Sequence, residues 1–184
     1  MYKGRPCVLY IHGYESKPVA EKTAAIADLG CTVIAPQLHY KEVMGTYKRL
    51  KQLANEFHAD WLIGSSLGGY SAFWLSQELQ TPTLLFNPAL AFRKIDPGLV
   101  SKGLDIHFQE HTIFLGLKDD TVDPVSTKNW LQQQNILEKT KLIEYPHNGH
   151  QISLPVFKEV IYQAASELHF IPKENIPVQD FLAV

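Results

Sequence analysis

The run Trp61-Leu62-Ile63-Gly64-Ser65-Ser66-Leu67-Gly68-Gly69-Tyr70 decides the fold. Its opening residues are apolar in succession and read as a strand. Gly64 to Gly68 match the pattern Gly-x-Ser-x-Gly, and an apolar stretch through Tyr70, Phe73 and Trp74 follows at helical spacing. Strand, tight turn and helix in that order put Ser66 on a sharp bend, where small residues two before and two after let strand and helix approach. At the head of that helix Ser66 has backbone N–H groups beside it that can steady developing negative charge. The plainer alternative is a tight β-to-α turn with a serine cap. Ser65 is out of register, because the residue two beyond it is Leu67.

Outward from this run, short apolar stretches recur at Cys7–Ile11, Cys31–Ala35, Thr83–Phe86, Thr112–Leu115 and Lys141–Tyr145. All but the last are apolar at successive positions, as parallel strands covered on both faces require. Between them lie stretches of helical period. Val19, Thr23, Ile26 and Leu29 form one stripe with Gly30 placed to end it, and Leu154, Phe157, Val160, Ile161, Ala164, Ala165 and Leu168 form another. The alternation predicts an α/β class: a three-layer α/β/α sandwich around a mainly parallel, approximately six-stranded sheet, with residues 1–184 as a single domain. Pro36–Gly45 and Pro88–His111 fit no element. Both follow strand ends, where open α/β sheets bind ligands, so both are expected pocket walls and 88–111 a possible small cap. Pro172 and Pro177 keep the tail, 169–184, from prolonging the last helix, and Phe181 and Leu182 are expected to pack on the domain or on a partner.

Composition narrows the function. The 184 residues carry 17 Lys and Arg against 19 Asp and Glu, a net charge of −2, which supplies no footprint for nucleic acid or an anionic membrane. No apolar run approaches the roughly 18 residues of a spanning helix. Met1 to Pro6 is followed only by Cys7–Ile11 before His12-Gly13, which reads as a strand, too short for a signal-peptide core. Cys7 and Cys31 both sit in apolar runs and read as buried thiols in a reducing, cytoplasmic compartment, with a disulfide between neighbouring strands as the less favoured alternative.

A serine hydroxyl needs a base to take its proton. His150, in His147-Asn148-Gly149-His150, falls between the last strand and the last helix, on a loop that can reach Ser66; His147 is its nearest competitor. A metal pair of the two lacks further ligands, so no metal and no cofactor are expected. His107 and His111 could share a helix face and, without a partner, are expected in solvent. The imidazole in turn needs an acid. Gly116-Leu117-Lys118-Asp119-Asp120-Thr121-Val122-Asp123-Pro124 follows the fifth strand, and Asp123 before Pro124 reads as a helix cap. That leaves Asp119 as first choice for the acid and Asp120 as the alternative. After the first strand, His12-Gly13-Tyr14 offers the N–H of Tyr14, which with the N–H of Leu67 would form an oxyanion hole; His12 itself reads as a structural residue orienting the loop. The glycines of the elbow lack the lysine of a phosphate-binding P-loop, and no Gly-x-Gly-x-x-Gly follows a strand.

With these residues in hand, the chain resembles the α/β-hydrolase superfamily, whose nucleophile, acid and histidine follow the order Ser66, Asp119, His150. More narrowly, Leu9-Tyr10-Ile11-His12-Gly13-Tyr14, the elbow, Trp74-Leu75-Ser76-Gln77 and Phe86-Asn87-Pro88-Ala89 look like the small bacterial YqiA/YcfP-type hydrolases. The resemblance implies a compact member without the first two strands of the full fold, with esterase-type chemistry. The expected function is cleavage of a carboxylic ester or thioester on a small acyl substrate through an acyl-enzyme. The alternative is a non-catalytic binding protein on the same fold. Six strands with their helices leave no room for a large cap, so the site should be open and suited to small or exposed acyl groups. Tyr40, Phe92 and Phe108 are its candidate apolar walls.

Overall fold

Six strands, all parallel among the described residues, lie in the order β2-β1-β3-β4-β5-β6. In chain order they are β1 (Cys7–Ile11), β2 (Thr32–Ile34), β3 (Trp61–Ser65), β4 (Thr83–Phe86), β5 (His111–Gly116) and β6 (Lys141–Tyr145). The helices are α1 (Ala20–Ala27), α2 (Thr46–Glu56), α3 (Leu67–Leu79), α4 (Pro124–Gln133) and α5 (Leu154–Glu167). The computed structural model describes residues 5–41, 45–93, 95–98, 106 and 110–168. The tail 169–184, with Phe181 and Leu182, lies outside them, as do His107 and Phe108 and parts of both long connections.

Alternation along the strands sorts the core into two layers. On β1, Leu9 and Ile11 face a cluster with Tyr47, Leu50 and Ala54 of α2, Phe73 and Leu75 of α3 and Leu131 of α4. Val8 and Tyr10 face the opposite cluster, with Ala25 and Ile26 of α1 and Phe157, Val160 and Ile161 of α5. Helices cover both faces, so every residue of β1, β4 and β5 is buried. This is the three-layer sandwich. The sheet is wholly parallel where the alternation predicted a mainly parallel one. The first helix stops at Ala27, and Gly30 takes φ 81°, the left-handed geometry expected past a helix end.

The chain leaves β1 for β2 on one side and enters β3 on the other, so the order in which strands are added reverses between β1 and β3. A crevice opens outside the strand ends at such a point. β1 leads there into His12-Gly13-Tyr14, and β3 leads into Ser66.

Cys7 and Cys31 are buried free thiols, and burial pushes Cys31 up to about 11, which keeps it protonated. His111 departs from expectation. It opens β5 and is buried instead of sitting on a solvated helix face. The amide of Gln77 donates to its Nε2 at 3.1 Å, which leaves Nδ1 to donate to Thr83 Oγ1 at 2.8 Å. Partners distant in sequence satisfy both ring nitrogens, a pairing no local pattern announces.

Burial lowers the pKa of His111 from 6.5 to about 4. The unfolded chain therefore takes up this proton first as pH falls. The stabilisation is complete above about 6.5 and drains away toward pH 4, by roughly 3 kcal/mol. Urea unfolding of the native protein and of His111→Gln should show the native advantage shrinking between pH 7 and pH 4.5. A difference that stays constant with pH would refute this titration.

Candidate active site

The elbow is built by exclusion of side-chain volume. A Cβ on Gly68 would stand 2.2 Å from the carbonyl oxygen of Ile11, and one on Gly64 would stand 2.5 Å from that of Gly68. Only glycines let α3 start against β1 and β3 at this range. Ser66, between them, adopts φ 54° and ψ −118°, a region that costs a non-glycine residue about 1–3 kcal/mol. Neighbouring backbone holds it there. The Ser66 N–H donates to Phe86 O at 2.9 Å, while Ser66 O accepts from Tyr70 at 3.0 Å and Ala89 at 3.1 Å. Leu67 is the first residue of α3, where an N–H has no acceptor within the helix.

His150 and Asp119 come together from the loops after β6 and β5. His150 Nδ1 lies 2.7 Å from Asp119 Oδ2, with the carboxylate side chain fully buried and the imidazole 18% exposed. The second oxygen, Oδ1, accepts the N–H groups of Thr121 and Val122, each at 2.8 Å. A carboxylate so committed accepts the Nδ1 proton and leaves Nε2 as the free lone pair. Asp120 is exposed and accepts from Thr121 Oγ1 at 3.2 Å. His147 is exposed too. Asp123 caps α4, accepting from the N–H groups of Val125 and Ser126, with Pro124 as the first helical residue.

His12 is buried, and both of its ring nitrogens are engaged. Nε2 accepts from the N–H of Leu38 at 2.9 Å, so Nδ1 carries the proton and donates to Gly13 O at 2.7 Å. In a trans peptide the C=O and N–H point oppositely, so this bond also sets the direction of the Tyr14 N–H. Burial, with a smaller contribution from His39, outweighs the bond to Gly13 and lowers the pKa of His12. Its role is to brace the loop. Tyr40, weighed as a pocket wall, is buried instead and donates its hydroxyl to His12 O at 2.7 Å.

Ser66, Leu67, Tyr14 and His150 all line one cavity of about 400 Å³. Of the expected walls, Phe92 lines it and is 70% exposed. The candidate cap, 88–111, contributes Ala89, Phe92, Arg93 and Ile95 to the lining, and its last residue belongs to β5. Among the described residues no group of three or more His, Cys, Asp or Glu could hold a metal ion, and no helix is long and apolar enough to cross a membrane.

One residue beneath the site had no role assigned from sequence. Asn87, just after β4, is buried with φ 44°, and its Oδ1 accepts the N–H of Gly116 at 2.8 Å. Its Nδ2 donates to the carbonyls of Gly149 at 3.1 Å and His150 at 3.2 Å. A single amide thus ties the start of the acid loop to the histidine. The Asn87-Pro88 step was the available signal, since asparagine tolerates the left-handed region and proline ends a strand.

The chain belongs to the uncharacterised protein family UPF0227, whose model matches residues 7–137. Its fold is similar to that of a protein of the alpha/beta superfamily from Xanthomonas campestris pv. campestris, with a TM-score of 0.64 at 22% identity over 87% of this chain and 99% of that one. It is also similar to Est1E from Butyrivibrio proteoclasticus, with a TM-score of 0.65 at 16% identity over 89% of this chain and 88% of that one. A third is Thermogutta terrifontis esterase 2, phosphonylated by cyclosarin, with a TM-score of 0.65 at 17% identity over 92% and 85%. The chain therefore has the α/β-hydrolase fold.

Replacing Asn87 by alanine removes an acceptor from the buried Gly116 N–H and a donor from two carbonyls. The expected cost is about 2–4 kcal/mol in urea unfolding, read against the native protein. A change under half a kcal/mol would mean that Asn87 is not the tie described.

Proposed function

We propose that the chain is a serine hydrolase that cleaves a carboxylic ester or thioester through an acyl-enzyme. The observation that carries this reading is one cavity shared by a serine on a strained elbow and a histidine whose Nδ1 is held by a buried carboxylate. Ser66 Oγ attacks the acyl carbon as its proton passes to His150 Nε2. Asp119 steadies the imidazolium that results. The N–H groups of Leu67 and Tyr14 receive the oxyanion, the first at a helix start and the second on the loop braced by His12. Collapse of the tetrahedral species returns the proton to the leaving alcohol or thiol. Water then attacks the acyl-enzyme, His150 taking and returning its proton, and the acid leaves. A thiol or alcohol in place of that water would give acyl transfer at the same site. Buried, free Cys7 and Cys31 suit a reducing, cytoplasmic setting.

A fluorophosphonate probe reads the nucleophile directly, and its chemistry parallels the phosphonylation of the Thermogutta terrifontis esterase. Native protein should label, Ser66→Ala should not, and His150→Ala should label on the order of 10³- to 10⁴-fold more slowly. Asp119→Asn should slow labelling far more than Asp120→Asn. Equal labelling of native protein, Ser66→Ala and His150→Ala would sink the triad, and an unlabelled native protein would favour a binding protein that keeps the fold without the chemistry.

A further inference from the structure

Arg93 is a cationic residue of the cavity lining with no carboxylate partner among the described residues. It lies in the connection after β4 and lines the same cavity as Ser66 and His150. Its guanidinium carbon sits over the Tyr70 ring, 3.8 Å from the centroid, a cation–π contact that holds the head against α3. Tyr70 is one helical turn beyond Ser66, a rise of roughly 6 Å, and its N–H donates to Ser66 O. The cation is therefore held against the first turn of α3, which follows directly on Ser66. Arg93 Nε is buried with no hydrogen-bond partner, and no carboxylate of the described residues pairs with the guanidinium.

Buried or half-buried arginines are ordinarily paired, because a desolvated cation without an anion is costly. Neighbouring charges deepen the imbalance. Lys22 also lines the cavity, its ammonium 5.1 Å from the Phe157 ring centroid, and burial lowers its pKa. Glu15 is the one carboxylate side chain among the described lining residues, and it is bound to Lys41 at 2.7 Å. The cavity is left with positive charge beside the nucleophile and an exposed phenyl ring, Phe92, one residue before Arg93.

We propose that Arg93 is the anion anchor of the substrate site, and that the favoured substrates are esters or thioesters carrying a carboxylate or phosphate group close to the scissile bond. This rests on the serine-hydrolase reading. The planar guanidinium held over Tyr70 offers the fork of N–H groups that carboxylate and phosphate oxygens match, and an anion there supplies a charge that no described residue supplies.

The test uses matched substrates on the full chain. 4-Nitrophenyl hemisuccinate is compared with 4-nitrophenyl butyrate for the carboxylate, and butyryl-glycerol-3-phosphate with monobutyrin for the phosphate. For the native protein kcat/KM should favour the anionic member of at least one pair, and which pair identifies the anion. Arg93→Gln should lower that ratio by at least about tenfold, the worth of one charged hydrogen bond, and Arg93→Lys should fall between. A ratio unchanged by both substitutions, or a native preference for the neutral member of both pairs, overturns the anchor while leaving the hydrolase reading intact. Failure of the hydrolase reading looks different, with neither pair cleaved by native protein above the rate of Ser66→Ala. In that event calorimetric titration of the native protein with succinate and inorganic phosphate decides. Binding that Arg93→Gln abolishes supports an anion site, and no binding of either overturns it.

Discussion

The molecule depends on how closely helix α3 begins against the sheet. With no room for a Cβ at Gly64 or Gly68, the chain must turn within one residue, and that residue is Ser66. Its backbone strain is offset by three hydrogen bonds, one to Tyr70 in α3, one to Phe86 at the end of β4 and one to Ala89 just beyond it. The same contact buries the first three turns of α3 almost completely, so the helix that carries the elbow is also central to one half of the core. Its buried polar side chains do not disturb this. Ser71 and Ser76 donate back to helix carbonyls, and Gln77 reaches His111.

Around the elbow, the strand ends are joined by polar struts. His12 spans from the end of β1 to the backbone of Leu38, and Asn87 spans from the end of β4 to the last residue of β5 and the loop after β6. Asp119 closes the set by fixing its own turn with one oxygen and the imidazole with the other. Each strut is buried and each side chain has its hydrogen bonds satisfied, the condition under which buried polar groups rigidify a site instead of weakening it. Loops held this way present reacting groups with the precision of the sheet beneath them.

Much of this was legible in the amino-acid order, and what was not has physical causes. Parallel strands buried on both faces print as unbroken apolar runs, so β1, β3, β4 and β5 are plain, and the elbow prints as glycines because volume is excluded there. The carboxylate that meets His150 was readable only as a pair. Asp119 and Asp120 are adjacent, and the fold buries Asp119 against the imidazole and leaves Asp120 in water. His111 was misplaced because its partners, Gln77 and Thr83, are 34 and 28 residues away in the chain. Asn87 and Arg93 escaped for the same reason. An amide strut and an unpaired cation are defined by what surrounds them in space, and neither belongs to a spacing pattern.

The reacting groups sit at strand ends, and their geometry is tied to the sheet through Ser66, His12 and Asn87. Substitution there disturbs packing and chemistry together. Phe92 and Arg93 sit in the long connection after β4, whose backbone is not part of the ladder, and they meet the reacting groups only across the cavity. Charge and shape along that wall can change without moving the elbow or the histidine. The fold thus keeps what must be accurate on the sheet and leaves one wall of the cavity to a loop, the part of an α/β domain that tolerates variation most readily.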